Sequence, residues 1–85
     1  MVGTLKDNYY ALVRKQRFTQ IILILEKIAA NNDVASYNEF VLNLAIEWGL
    51  KTDKVREYID ILAGAGKLRL EITDGTKIIR LCTAE

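Results

Sequence analysis

The sequence predicts an α+β fold. It has three core helices, a short strand and a C-terminal two-stranded β-hairpin, preceded by a helical extension. Two observations predict this. Apolar residues recur at three- and four-residue intervals through three successive segments, the period of a helix with one buried face. The last segment then switches to strict alternation around an Asp-Gly pair, the pattern of a hairpin. A chain of 85 residues suits one small domain over 1–85, with 1–16 as extension and 17–82 as core. A chain of this size buries only about 60–65% of its unfolded surface, so its core must be well filled. A hydrophobic content of 51% supplies that core, and 27% charged residues argue against disorder.

In the extension, residues 5–15 place Leu5, Tyr9 and Leu12 on one helical face. No Gly or Pro separates this stretch from the next helix, which leaves the two free to run on as one. Residues 1–17 carry Lys6, Arg14, Lys15 and Arg17 against Asp7 alone. From Arg17 to Ala30, Phe18, Ile22, Leu25 and Ala29 share one face, widened by Ile21 and Ile28. Leu23 points nearly the opposite way. Together with Ile24 it makes this helix apolar over more of its circumference than one core requires. Either the extension or a second subunit covers that side. Asn31-Asn32-Asp33 ends the helix.

Val34-Ala35 reads as the short strand. Ser36-Tyr37-Asn38-Glu39 reads as a capping box, with the Ser36 oxygen taking an amide hydrogen bond and Glu39 reaching back. Such a cap makes Ser36 worth ~0.5–2 kcal/mol. It opens a second helix, Tyr37 to Trp48, with Phe40, Val41, Leu44, Ala45 and Trp48 on its apolar face. Trp48 anchors the core at the turn.

Gly49 supplies the backbone freedom for a turn into a third helix, whose apolar stripe is Val55, Ile59 and Leu62. Thr52 or Lys51 stands at its N-cap, Thr being the chemically better cap. Asp53, Lys54, Arg56, Glu57, Asp60 and Ile61 point outward, and Gly66 sits where a helix ends in the left-handed conformation. Helix, glycine turn and helix together make a helix-turn-helix. In the hairpin, Leu68, Leu70 and Ile72 alternate with Lys67, Arg69 and Glu71. Asp74-Gly75 fits a two-residue type I′ loop. That loop sets Thr73 opposite Thr76, Ile72 opposite Lys77, Leu70 opposite Ile79 and Leu68 opposite Leu81. Arg69 then faces Arg80 on the exposed side.

Over roughly residues 17–82 the chain resembles the winged helix-turn-helix DNA-binding domain family. The turn glycine Gly49, the pair Val55-Arg56, the Ile59/Leu62 stripe and the closing Gly66-Lys67-Leu68 stand in that family's order. The resemblance implies a small cytoplasmic transcriptional regulator that binds double-stranded DNA. Its third helix would lie in the major groove and its wing on the backbone. The DNA-binding residues it implies are Lys51, Thr52, Lys54 and Arg56 at the third helix and Lys67, Arg69, Lys77 and Arg80 on the wing. Specific binders commonly act as dimers on two half-sites, so a homodimer is expected.

Charge modifies this picture. Lys51 to Leu62 has three basic and three acidic residues and so cannot supply long-range attraction to phosphate. Arg69 opposite Arg80 costs the hairpin some stability, which a nearby phosphate would offset. Positive charge gathers at the two ends of the chain, with an acidic body over residues 18–66. This split suits a basic surface made of arm and wing. It suits head-to-tail protein association equally, the alternative being an adaptor in a replication, transcription or membrane-remodelling complex.

Enzymatic chemistry has little to draw on. The chain has no His, the commonest acid/base group and metal ligand near neutral pH. Cys82 is the single cysteine, which excludes an intramolecular disulfide, a Cys/His nucleophile pair and a zinc site. The Gly64–Lys67 stretch lacks the upstream glycine and the Ser/Thr of a phosphate loop, and it reads as a helix stop. No signal-peptide order is present. The longest apolar run, Ile21 to Leu25, is far short of the ~20 residues that span a bilayer. No enzyme, cofactor, metal, small-molecule substrate or membrane partner is expected.

Overall fold

The computed structural model describes the backbone of residues 2–82 and the side chains of residues 9–82. The expected placements of the Leu5, Lys6 and Asp7 side chains lie outside the described part. The elements are α1 (Val2–Ala30), β1 (Ala35–Ser36), α2 (Tyr37–Trp48), α3 (Thr52–Gly64), β2 (Leu68–Thr73) and β3 (Thr76–Leu81). The strands form one antiparallel sheet in the order β1-β3-β2. A helix, a short strand, two further helices and a C-terminal hairpin in this order make a winged-helix-like topology.

Extension and first core helix are one helix. Its 29 residues reach about 43 Å at 1.5 Å per residue, most of the molecule's longest dimension of 51 Å. Only its second half joins the core. Ile21 and Leu25 are buried there, with Phe18, Ile22, Ile24 and Ile28 packed partly against them. Ala29, expected on this face, is exposed. The face is centred on Ile21 and Leu25, and Ala29 falls at its edge. Ile24 is absorbed by the core, whereas Leu23 stays half exposed. Because α1 is continuous, its first half cannot fold back over Leu23, which removes the extension as a cover for that side.

Each helix ends by the same device. One residue in the left-handed region lets the chain turn, and its own amide and the next one satisfy carbonyls of the last turn. Asn32 does this for α1 at φ 58, Gly49 for α2 at φ 67 and Gly66 for α3 at φ 80. The long bonds are Asp33 N to Ile28 O at 3.0 Å, Leu50 N to Ala45 O at 2.9 Å and Lys67 N to Leu62 O at 2.9 Å. These stops set the helix directions and feed α3 directly into β2.

The helix starts differ from expectation. Ser36 has the extended backbone of an N-cap, φ −73 and ψ 129, but its hydroxyl makes no capping bond. Ser36 is also the second residue of β1 and pairs with Ile78, so it serves the sheet first. The short strand is accordingly displaced by one residue from Val34-Ala35. Lys51, not Thr52, is the N-cap of α3, and no side chain caps that end.

The hairpin has the expected register, Leu68↔Leu81 through Thr73↔Thr76. Asp74 and Gly75 both have positive φ, at 52 and 78, as a type I′ loop requires. Leu68 and Ile79 are buried on the helix side, with Leu70 and Leu81 packed at its edge. Ile78, on the opposite face, is buried as well. It sits on the central strand, flanked by β1 and β2.

Ser36→Ala removes a hydroxyl that caps nothing. Its expected effect on unfolding free energy is within about 0.5 kcal/mol, the range of an ordinary surface change. A loss above about 1 kcal/mol in denaturant unfolding would restore the capping role.

Candidate nucleic-acid interface

The third helix is held by Tyr58, a residue outside the expected stripe of Val55, Ile59 and Leu62. Tyr58 is 3% exposed. Its ring meets Phe18 of α1 edge-on at 5.6 Å and Trp48 at the end of α2 at 6.4 Å. Arg17 of α1 donates from Nη1 to the Tyr58 hydroxyl at 2.9 Å. The Arg17 guanidinium carbon lies 5.7 Å from the Trp48 ring centroid and 5.8 Å from that of Tyr58, within cation–π range. One tyrosine thereby joins all three helices. Trp48 is half-buried and fills the turn as expected.

With its inner face fixed, α3 presents Asp53, Lys54, Arg56, Glu57, Asp60 and Ile61 to solvent. At 100° per residue, Asp53, Glu57 and Asp60 form the outermost stripe, opposite the Val55/Ile59/Leu62 face. The basic residues flank this stripe on opposite sides. Lys54 leans toward α1, with its Nζ 5.5 Å from the Tyr58 ring centroid. Arg56 lies on the wing side, near Tyr37. Both are paired along the helix, Lys54 to Glu57 at 3.4 Å and Arg56 to Asp53 at 3.1 Å. Exposed pairs of this kind are weak, and a stronger partner displaces them easily.

Tyr37 connects α3 to the wing. Its side chain is buried, and Lys77, three residues after Asp74, places its Nζ 4.2 Å from the ring centroid. Burial raises the phenol above its ordinary pKa, the charge of Asp60 raises it further and Arg56 opposes them. Arg56, Asp60 and Lys77 therefore share one neighbourhood around Tyr37.

Arg69 and Arg80 stand opposite each other as the register demands. A phosphate is not needed to offset their repulsion, and they do not splay apart into solvent. Glu71 bridges them, with Oε2 2.7 Å from Arg69 Nε and Oε1 2.8 Å from Arg80 Nε. The hydrogen bond from Arg80 is the main cause holding the Glu71 carboxyl below its ordinary value, and the Arg69 charge adds to it. The two arginines also line a cleft with Ile28, Ala29 and Asp33 at the end of α1, away from Lys54.

The residues expected to bind DNA thus fall into separate groups. Arg56 and Lys77 meet around Tyr37, Arg69 and Arg80 meet on Glu71, and Lys54 faces α1. Lys51 and Thr52 begin α3, and Lys67 follows its glycine stop. Lys51 and Lys67 are exposed.

Sequence reasoning passed over Arg14, Arg17 and Tyr58 as site residues. Tyr58 lies three residues after Val55 and four before Leu62, so helical spacing alone places it beside the stripe. Arg14 and Arg17 enter the sequence reading only as members of a basic arm. Comparisons with protein-family models, curated proteins and solved structures give no match to the chain. Among the described residues no helix is long and apolar enough to cross a membrane.

The lowered Glu71 pKa has a defined consequence. Ionised Glu71 favours the folded hairpin above the ordinary glutamate value of 4.5, and this contribution is lost as pH falls through the lower folded value. Glu71→Gln is expected to be less stable at neutral pH and to show a shallower loss of melting temperature on acidification. Parallel acid-side curves for the two proteins would mean that the carboxylate carries no bridge.

Proposed function

We propose that the chain is a winged helix DNA-binding protein, a small transcriptional regulator that acts as a homodimer on double-stranded DNA. The observation that carries this reading is the free outer side of α3. Among the described residues its outward side chains are exposed. It is braced from behind by Tyr58, and it has Lys51 at its start, Lys54 on one flank and Arg56 with Lys77 on the other. A helix so presented, with a hairpin alongside, fits a major groove and its bordering phosphates.

The dimer rests on the outer face of α1. Tyr9, Leu12, Gln16, Thr19 and Leu23 follow an alternating three- and four-residue spacing, the repeat of a coiled-coil seam. Tyr9, Leu12 and Leu23 are 63%, 55% and 50% exposed. The stripe lies across the helix from Ile21 and Leu25. Two copies meeting about a two-fold axis cover it with an identical stripe.

The acidic stripe of Asp53, Glu57 and Asp60 favours a second reading, a protein-interaction adaptor. These carboxylates repel phosphate along the line that would enter deepest. Leu42 and Ile46 add exposed apolar surface on the outer side of α2.

A mobility shift with mixed-sequence duplex at two salt concentrations separates the readings. Binding that weakens steeply with salt is expected. No binding at low salt would discard the DNA reading and leave the adaptor.

Sedimentation tests the dimer. The wild type is expected to run as a dimer and Leu23→Glu as a monomer. A wild type that is monomeric at high micromolar concentration would end the α1 interface.

A further inference from the structure

We propose that the cleft between α1 and α3 seats a phosphodiester group of the bound nucleic acid, an inference that rests on the DNA-binding reading above. The cleft has a volume of about 350 Å³ and is lined by Tyr10, Val13, Arg14, Arg17, Lys54 and Tyr58. Three of these six side chains are cationic and none is acidic.

The three cations differ in how they are held. Arg17 is fixed by the Tyr58 hydroxyl at 2.9 Å and by the Trp48 and Tyr58 rings, so its planar fork is preorganised. The bond to Tyr58 uses Nη1, and among the described residues no carboxylate pairs with Arg17. Arg14, one helical turn before Arg17, is exposed and has no ion-pair partner among the described residues. Lys54 reaches in from α3, with its Nζ 5.5 Å from the Tyr58 ring centroid, and its ion pair with Glu57 at 3.4 Å is exposed and weak. Like charges gathered around one cleft repel, and a single anion between them removes that repulsion. Two guanidinium forks and an ammonium match the several oxygens of a phosphate, which accepts bidentate bonds from Arg and a point charge from Lys.

Position favours a backbone phosphate. Lys54 belongs to the first turns of α3, so the cleft borders the side of that helix proposed to face DNA. A groove-bound α3 has phosphates along both flanks. The α1 flank then meets Arg14, Arg17 and Lys54, and the wing flank meets Arg56 and Lys77. This arrangement gives the basic extension of α1 a role that the acidic outer stripe of α3 cannot fill.

Arg14→Ala is the direct test, because Arg14 is exposed and makes no hydrogen bond or ion pair among the described residues, so the variant is expected to keep the wild-type melting temperature. Its affinity should fall alike on unrelated duplexes, and the log–log salt slope should flatten by about 0.9, the value of one lost phosphate contact. Trp48 is the only tryptophan and lies against Arg17, so its emission reports occupancy of the cleft. Duplex should shift that emission in the wild type and shift it less in Arg14→Ala. Wild-type binding with an unchanged slope in Arg14→Ala overturns the cleft and leaves the DNA reading intact. A wild type that binds no duplex overturns both. A Trp48 response to inorganic phosphate that saturates at the same concentration as the response to duplex phosphates would make the cleft a free-anion site and overturn the phosphodiester assignment.

Discussion

The packing of Tyr58 is the constraint on which the rest of this structure depends. An isolated α3 of 13 residues would be marginal in water, since helices of that length gain most of their stability from tertiary contact. Val55, Ile59 and Leu62 supply the apolar part of that contact. Tyr58 supplies direction, because its ring meets both Phe18 and Trp48 and its hydroxyl accepts a hydrogen bond from Arg17. A buried phenol without that partner would leave an unpaired polar group, at a cost of roughly 1–3 kcal/mol. Arg17 is thus a structural brace that also keeps a positive charge at the edge of α3.

The distribution of charge follows from this brace and from the hairpin register. The register forces Arg69 against Arg80, and Glu71 on the same face resolves the conflict within the sheet. The helical period forces Asp53, Glu57 and Asp60 into one outward line, with Lys54 and Arg56 on either side. Positive charge is therefore held at the flanks of α3 and not along its crest. On the proposed DNA reading, a duplex approaching this surface would meet attraction at both edges and repulsion in the middle. That pattern favours contact with the strands bordering a groove over deep insertion.

Much of the fold was legible in the sequence, for local reasons. Asp74-Gly75 fixed the loop, the loop fixed the register, and the register fixed which residues face each other. Asn32, Gly49 and Gly66 marked helix ends because each position needs the left-handed region. What was not legible depended on contacts distant in sequence. Arg17 and Tyr58 are 41 residues apart, and nothing in either segment announces their bond. Ser36 satisfied the capping pattern, yet its pairing with Ile78, far along the chain, drew it into the sheet. The bridging role of Glu71 was hidden differently. Its position between two arginines was visible, but the alternation of the strand was read only for pairs directly opposite. Of the candidate site, the basic residue types were legible. Their grouping around Tyr37, Glu71 and the α1–α3 cleft was not, because helix rotation and sheet placement decide it.

Arg17 and Tyr58 act as one unit joining α1 to α3. A double-mutant cycle of Arg17→Ala and Tyr58→Phe in denaturant unfolding measures this most directly. The predicted result is a coupling energy of about 1 kcal/mol or more, as expected for a hydrogen bond from a charged donor. Effects that add to within about 0.3–0.5 kcal/mol, the behaviour of independent sites, would contradict it.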